Sequence, residues 1–242
     1  GKEVIAVILA AGVSSRLRPL TNDTPKPLLP VGNKPLLQRT LEALHQSHIK
    51  SCVLVTGYHK EKIEAFVGSL PLPLSVTCAT NPHFATTGNN YSLWTAGPHV
   101  GGHDILVMDA DILFDHRLLS LIINSPHNNS LIVRQTSHLG AEEIKVELDS
   151  TGDVVRIGKE IDPKAAAGES IGIEKFSGDA VRELFRVLDR RKGHNEFYEA
   201  SFQQMIDGGV KIHAVDSGGL PCIEVDTMED LDAANELAES LQ

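Results

Sequence analysis

The most chemically loaded spacing in this 242-residue chain is Leu106-Val-Met-Asp109-Ala-Asp111, an apolar run that closes on two carboxylates one residue apart. A strand ending in Asp-x-Asp puts both acids at its C-terminal edge, where open α/β sheets bind ligands, and alternation along the strand sends both to one face. Hard oxygen donors in that position suit Mg²⁺ shared with phosphate oxygens. Far upstream, the apolar run 4–10 breaks into Gly12, Ser14, Ser15 and Arg16, and Lys26 follows between two prolines. Glycine permits close backbone approach, exposed amides in a tight loop hold phosphate oxygens, and Arg16 and Lys26 add positive charge. The loop fits neither GxxxxGK[ST] nor GxGxxG. A third group lies at 81–94, where Asn81 and the run Asn89-Asn90-Tyr91-Ser92-Leu93 follow a strand-like segment; the amide of Asn81 offers donor and acceptor together, suited equally to a ligand edge and to shaping its own turn.

These groups need a scaffold, and the hydrophobic pattern supplies one. Continuous apolar runs recur at 4–10, 52–56, 74–79, 105–109 and 131–134, typical of parallel strands covered on both faces. Between them Leu37, Leu41 and Leu44 after Pro35, then Ile63, Phe66 and Val67, then Leu118, Leu121 and Ile122 repeat at helical spacing. Strands alternating with helices in this way predict a Rossmann-like, doubly wound α/β sheet. After residue 140 the texture changes. Segments 144–148 and 154–157 flank Ser150-Thr-Gly-Asp153 and read as a hairpin that adds antiparallel strands. Helices are expected at 178–191 and 196–208, a strand at 210–215, and a last helix capped by Thr227 with Asp230 completing a capping box. Trp94 is assigned to the core. With no linker or repeat visible, the expectation is a single domain over 1–242, with a nucleotide-binding half (1–135) and an acceptor-binding half (136–242).

Over residues 9–37, LAAGVSSRLRPLTNDTPKPLLPVGNKPLL resembles the signature of nucleoside-triphosphate nucleotidyltransferases, the family of sugar-1-phosphate thymidylyl- and uridylyltransferases and bacterial choline-phosphate cytidylyltransferases. Ser14 stands where many members have a second glycine. The resemblance implies a base near Ala10, Ala11 and Gly12, a triphosphate over Ser14, Arg16 and Lys26, and nucleotide contacts from Asn81, Asn90, Ser92 and Asp109. It implies Mg²⁺ on Asp111, with Asp109 a secondary candidate, and on Asp226, the latter from Cys222-Ile-Glu224-Val-Asp226, which resembles the choline-phosphate enzymes' Glu-x-Asp segment. Lys159 matches the lysine that holds the acceptor phosphate, whereas Gly158 replaces the acid that would bind sugar hydroxyls. Segments around Gly172 and Glu199 resemble acceptor-side elements of cytidylyltransferases, with Glu199 read either as the partner of an acceptor amine or as a solvated helix charge. Lys34 and Arg18 read as surface charges.

The formal net charge of −10 argues against nucleic-acid or anionic-membrane binding by the whole surface. Seven Lys/Arg against three acids in residues 1–50 nevertheless point to a local anion site. No apolar stretch is long enough for a membrane span, and the first residues read as a buried strand, so a cytoplasmic location is expected. Cys52, Cys78 and Cys222 lack paired spacing, and no histidine pattern suggests zinc. The resulting expectation is a Mg²⁺-dependent nucleotidyltransferase. It joins a nucleoside triphosphate, CTP favoured, to a small phosphorylated or phosphonylated acceptor such as 2-aminoethylphosphonate, phosphocholine or a polyol phosphate, releasing pyrophosphate. A homodimer is compatible with this. The alternatives are a sugar-1-phosphate uridylyl- or thymidylyltransferase, a glycosyltransferase that also uses Asp-x-Asp, and a silent regulatory domain of the same fold.

Overall fold

A computed structural model describes residues 3–241. The first apolar run forms β1 (Val4–Leu9), buried from Ile5 onward, and the signature loop that follows contains the two-residue strands β2 (Pro30–Val31) and β3 (Lys34–Pro35). Next come α1 (Leu36–Gln46), β4 (Ser51–Thr56), α2 (Lys60–Ser69), β5 (Ser75–Thr80), α3 (Asn89–Thr95), β6 (Asp104–Asp109), β7 (Ile112–Phe114), α4 (Arg117–Ile123) and β8 (Ser130–Arg134). The second half supplies β9 (Lys145–Leu148), β10 (Val154–Gly158), β11 (Gly168–Phe176), α5 (Gly178–Arg191), α6 (Glu199–Asp207), β12 (His213–Asp216), β13 (Cys222–Glu224) and α7 (Met228–Ala238).

Strands β6, β1, β4 and β5 lie side by side and parallel. The sheet is extended by β11, antiparallel to β6, and then by the β9–β10 hairpin, while β8 and β12 run along the other edge of β11. This is the doubly wound, mostly parallel sheet with antiparallel additions that the sequence predicts. Alternation explains its two cores. Val7, Val53, Val107 and Phe176 face α3, α5 and α6, whereas Ala6, Ile8, Leu54 and Met108 face α1, α2 and α4. A third cluster packs Leu17, Leu29, Val31 and Leu36 against Val225, Leu231 and Ala234, so α7 is the floor under the signature loop.

Four sequence expectations shift. The helix expected at 196–208 starts at Glu199, and the strand expected at 210–215 starts at His213. Strand β11, longest of all and buried at every position, was read only as an acceptor-side segment, because Gly168-Glu-Ser-Ile-Gly-Ile-Glu-Lys-Phe interrupts its apolar residues with charges and glycines. Trp94 is half-buried at the edge of the core: its indole N–H donates to Asp189 at 3.1 Å, and the Lys192 ammonium lies 4.2 Å above its ring.

Candidate active site

The chain leaves β1 at the carboxyl edge of the sheet, where the Ala10 amide donates to Val55 and Leu9 accepts from the Ala110 amide. Gly12 has nothing within 4 Å of where a Cβ would sit, so the backbone there borders open space. Ser14 adopts φ 57°, the left-handed region in which glycine is free and serine is strained; its carbonyl is anchored by the Thr21 hydroxyl at 2.9 Å. This accounts for the second glycine of the family signature. Leu17 and Leu29 then sink into the third core cluster, pulling Arg16 and Lys26 over the end of β6.

Asp111 and Asp226 are 115 residues apart in sequence and are brought together by a small antiparallel pair, β7 with β13, in which Glu224 stands opposite Ile112. The Val225 amide donates to the Asp111 carbonyl at 2.8 Å, and the Asp226 amide donates to the Asp230 carboxylate at 3.0 Å. Thr227 and Asp230 form the reciprocal capping box of α7. Lys26, 8% exposed, bridges the two acids: its Nζ lies 2.8 Å from Asp226 Oδ1 and 3.3 Å from Asp111 Oδ2. Arg16 reaches Asp226 at 3.8 Å. Burial alone would lower the Lys26 pKa, but the carboxylates of Asp111 and Asp226 hold it above its usual value. Asp226 shows the reverse balance, with Lys26 outweighing burial and keeping its carboxyl below the ordinary range. Burial dominates at Asp111 and pushes its carboxyl up.

Asp109 accepts a hydrogen bond from the Tyr198 hydroxyl at 2.9 Å, and Gly172 lies against it. A Cβ at Gly172 would come within 2.4 Å of Asp109 Oδ2, and φ +88° there also favours glycine. Burial, reinforced by Asp111 and Glu199, raises the Asp109 carboxyl well above its ordinary value. Burial likewise pushes Glu224 up to about 10 and Glu199 to about 7. Glu199 is buried with Oε2 unpartnered, which removes the solvated-charge alternative. Lys159 stands 4.5 Å above the Phe197 ring and 3.5 Å from Glu142.

A cavity of about 530 Å³ joins these groups. Ala10, Ala11, Gly12, Ser14, Arg16 and Lys26 line one part, Asp109, Asp111 and Asp226 another, and Lys159, Gly172 and Glu199 a third; Ser92 lines it too. Among the expected nucleotide contacts, Asn81 takes its turn-shaping alternative and Asn90 is corrected. The Asn81 amide nitrogen donates to Thr87 and Ser92, and its oxygen accepts from the His83 amide, so both ends are spent on shaping its own loop. Asn90 is wholly buried and its Nδ2 donates to the carbonyls of Arg191 and His194, away from the cavity. Sequence reading also passed over Arg134, which lines the cavity, pairs with Glu169 at 3.0 Å and donates to the Cys222 carbonyl at 2.8 Å. Its signal was available: a cation ending an apolar strand on the ligand-binding edge. Lys34 pairs with Glu42 at 2.7 Å, a surface contact as expected.

A sheet of this topology, with a cationic glycine loop facing two carboxylates at its carboxyl edge, is the framework of enzymes that transfer nucleotidyl groups. The chain belongs to the nucleotidyl transferase family, whose sequence pattern matches residues 5–214, and it is a nucleotidyltransferase. Among its curated relatives are a choline-phosphate cytidylyltransferase of Streptococcus pneumoniae, 25% identical over 93% of this chain and 94% of the relative, and a 2-aminoethylphosphonate cytidylyltransferase of Lancefieldella rimae, 26% identical over 96% and 90%. An inositol-1-phosphate CTP transferase from T. maritima shares the fold with a TM-score of 0.84, at 21% identity over 100% of this chain and 99% of that one. No described helix is long and apolar enough to cross a membrane.

Proposed function

We propose that this chain is a Mg²⁺-dependent cytidylyltransferase that joins CTP to a small phosphorylated or phosphonylated acceptor carrying a primary amine. The observation that carries the reading is the polarity of the cavity: Arg16 and Lys26 at one end, Lys159 and the unpartnered Glu199 carboxyl at the other, and the Asp111–Asp226 pair between them. The two cations suit a triphosphate, which a glycosyltransferase using a nucleotide sugar does not present. The acceptor anion attacks the α-phosphorus in line; an oxygen–phosphorus bond forms, the α–β bridging bond breaks, and pyrophosphate leaves with that electron pair. Arg16 and Lys26 stabilise charge on the leaving group and Lys159 offsets repulsion between the two anions, so catalysis rests on positioning and electrostatics. No general base is required, because the nucleophile is already ionised.

The donor set fits Mg²⁺. Two hard carboxylates, one of them with Oδ1 buried and unpartnered at Asp111, are what Mg²⁺ takes when phosphate oxygens complete its shell. Held by Asp111 and Asp226, it supplies charge neutralisation between the reacting phosphates.

The relatives' names support cytidylyl transfer, and two observations favour a primary amine over a quaternary one. Of the two phenylalanines that line the cavity, Phe84 and Phe197, the second already carries the Lys159 ammonium over its ring, which leaves one aromatic face where a trimethylammonium group is best held by several. The unpartnered Glu199 oxygen accepts an N–H, which only the primary amine offers. Pyrophosphate release measured with four triphosphates against 2-aminoethylphosphonate, phosphocholine, inositol 1-phosphate and glucose 1-phosphate tests the reading. The expected best pair is CTP with 2-aminoethylphosphonate; turnover confined to glucose 1-phosphate with UTP or dTTP overturns the substrate assignment.

A further inference from the structure

Freed from base recognition, Asn90 and its neighbour Asn89 still make cross-chain hydrogen bonds that the reaction as described does not use. Asn89 Oδ1 accepts from the Tyr198 amide at 2.8 Å, and Asn90 Nδ2 donates to the Arg191 and His194 carbonyls at 3.0 and 3.1 Å. These partners lie 101–109 residues downstream and bracket the turn that joins α5 to Phe197, Tyr198 and Glu199. The approach is close enough that a Cβ on Gly88 would sit 2.1 Å from the Glu196 carbonyl oxygen, so only glycine fits at the entry to α3. On the far side the same turn is tied by Arg191, whose guanidinium grips the Glu196 carboxylate with two bonds of 2.9 Å. Asn90 and Tyr198 are both wholly buried, so water does not replace these bonds when they are lost.

We infer that the Asn89–Asn90 pair is a positioning device that fixes the acceptor-binding segment 194–199 onto the nucleotide-side loop. The two amides act by opposite chemistry. Asn89 contributes an oxygen that accepts, Asn90 a nitrogen that donates twice. Phe197 and Glu199 face the cavity only because the backbone on either side of them is held in this way, so losing the clamp weakens the acceptor end and spares the nucleotide end.

The inference rests on the assignment of Glu199 to the acceptor, and the test has one readout that depends on it and one that does not. In steady-state assays with CTP and 2-aminoethylphosphonate, Asn90→Asp and Asn90→Ala are each expected to raise the acceptor KM by about tenfold or more while the CTP KM stays within about twofold; Asn89→Ala, at a residue that also borders the cavity, is expected to raise the acceptor KM likewise. An equal or larger rise in the CTP KM overturns the clamp and returns Asn90 to base recognition. Hydrogen exchange reads the clamp directly, whatever the substrate. Segment 192–199 should exchange faster in all three variants, and Asn89→Asp, which keeps an accepting oxygen, should restore protection of the Tyr198 amide. Unchanged exchange in that segment overturns the inference. Wild-type protein inactive with this substrate pair overturns the proposed function, leaving exchange to decide the clamp.

Discussion

Lys26 shows how tightly the reacting end of the cavity is wired, since one ammonium touches both acids, keeping Asp226 below the ordinary range while burial still pushes Asp111 up. Asp111→Ala and Asp226→Ala are each expected to lower turnover by at least ~10²-fold, the usual result of losing an electrostatic element that acts on the transition state. Near-normal turnover in either variant, with the fold checked by circular dichroism, removes that residue from the site. Glu199 gives a pH signature. Burial lifts its carboxyl to about 7, so its ionised fraction rises about tenfold between pH 6 and 8. The KM for an amine-bearing acceptor should therefore fall as pH rises across that window, and Glu199→Gln should flatten the fall. Linkage gives the matching stability effect. The folded state binds this proton more tightly than the unfolded chain, so the contribution is present below the ordinary glutamate value and is lost as pH rises toward about 7. Glu199→Gln should accordingly raise Tm relative to wild type at pH 8 and have little effect at pH 4.

At the scale of elements, α7 does more than cover the third core cluster. Its capping box also orients Asp226, because Asp230 accepts from the Asp226 and Thr227 amides, both at 3.0 Å. Thr227→Ala should cost about 1 kcal/mol, visible as a fall in Tm of roughly 2–4 °C. Asp230→Ala should reduce turnover beyond what its Tm change explains, since it frees the backbone of a proposed metal carboxylate. Equal turnover in Asp230→Ala and wild type would show that β13 alone holds Asp226 in place. Strand β11 plays a similar part for Asp109: it bends at Gly172, where its register with β8 shifts between Ser170 and Glu174. Gly172→Ala should destabilise the protein and lower activity together, because strained φ and contact with Asp109 coincide at one atom.

For the molecule as a whole, the cavity is lined by residues of both halves of the chain, from Leu9 to Asp230. A ligand that fills it should stabilise one cooperative unit. With CTP and Mg²⁺ at about a hundred times the dissociation constant, the expected gain is ~2.7 kcal/mol, a rise in Tm of roughly 5–10 °C. Scanning calorimetry checks this. A transition that splits, with only part moving on ligand addition, would show that the halves melt separately. The charge distribution fits the same picture: the protein is acidic overall, and its basic excess in residues 1–50 includes Arg16 and Lys26, which line the cavity.

The sequence by itself determined whatever depends on local pattern. Buried strands read as apolar runs, α1 as leucines at helical spacing, α7 from its capping box, and the nucleotide loop from glycine, serine and two cations in a signature stretch. The family resemblance rested chiefly on that same stretch, residues 9–37, and the family pattern matches residues 5–214. Tertiary structure decided whatever depends on which atoms an amide or carboxyl meets. Asn81 and Asn90 look alike as loop amides, yet Asn81 uses its amide on its own loop and Asn90 turns its Nδ2 to the Arg191 and His194 carbonyls. Glu199 looked as much like a solvated helix charge as an acceptor partner, and only packing showed its carboxyl buried and facing the cavity. Tyr198 and the buried β11 left little trace in periodicity, because their environments are made by strands and helices distant in sequence. Residue type and spacing specify which groups are available; burial and long-range pairing fix which of them remain free to meet a substrate.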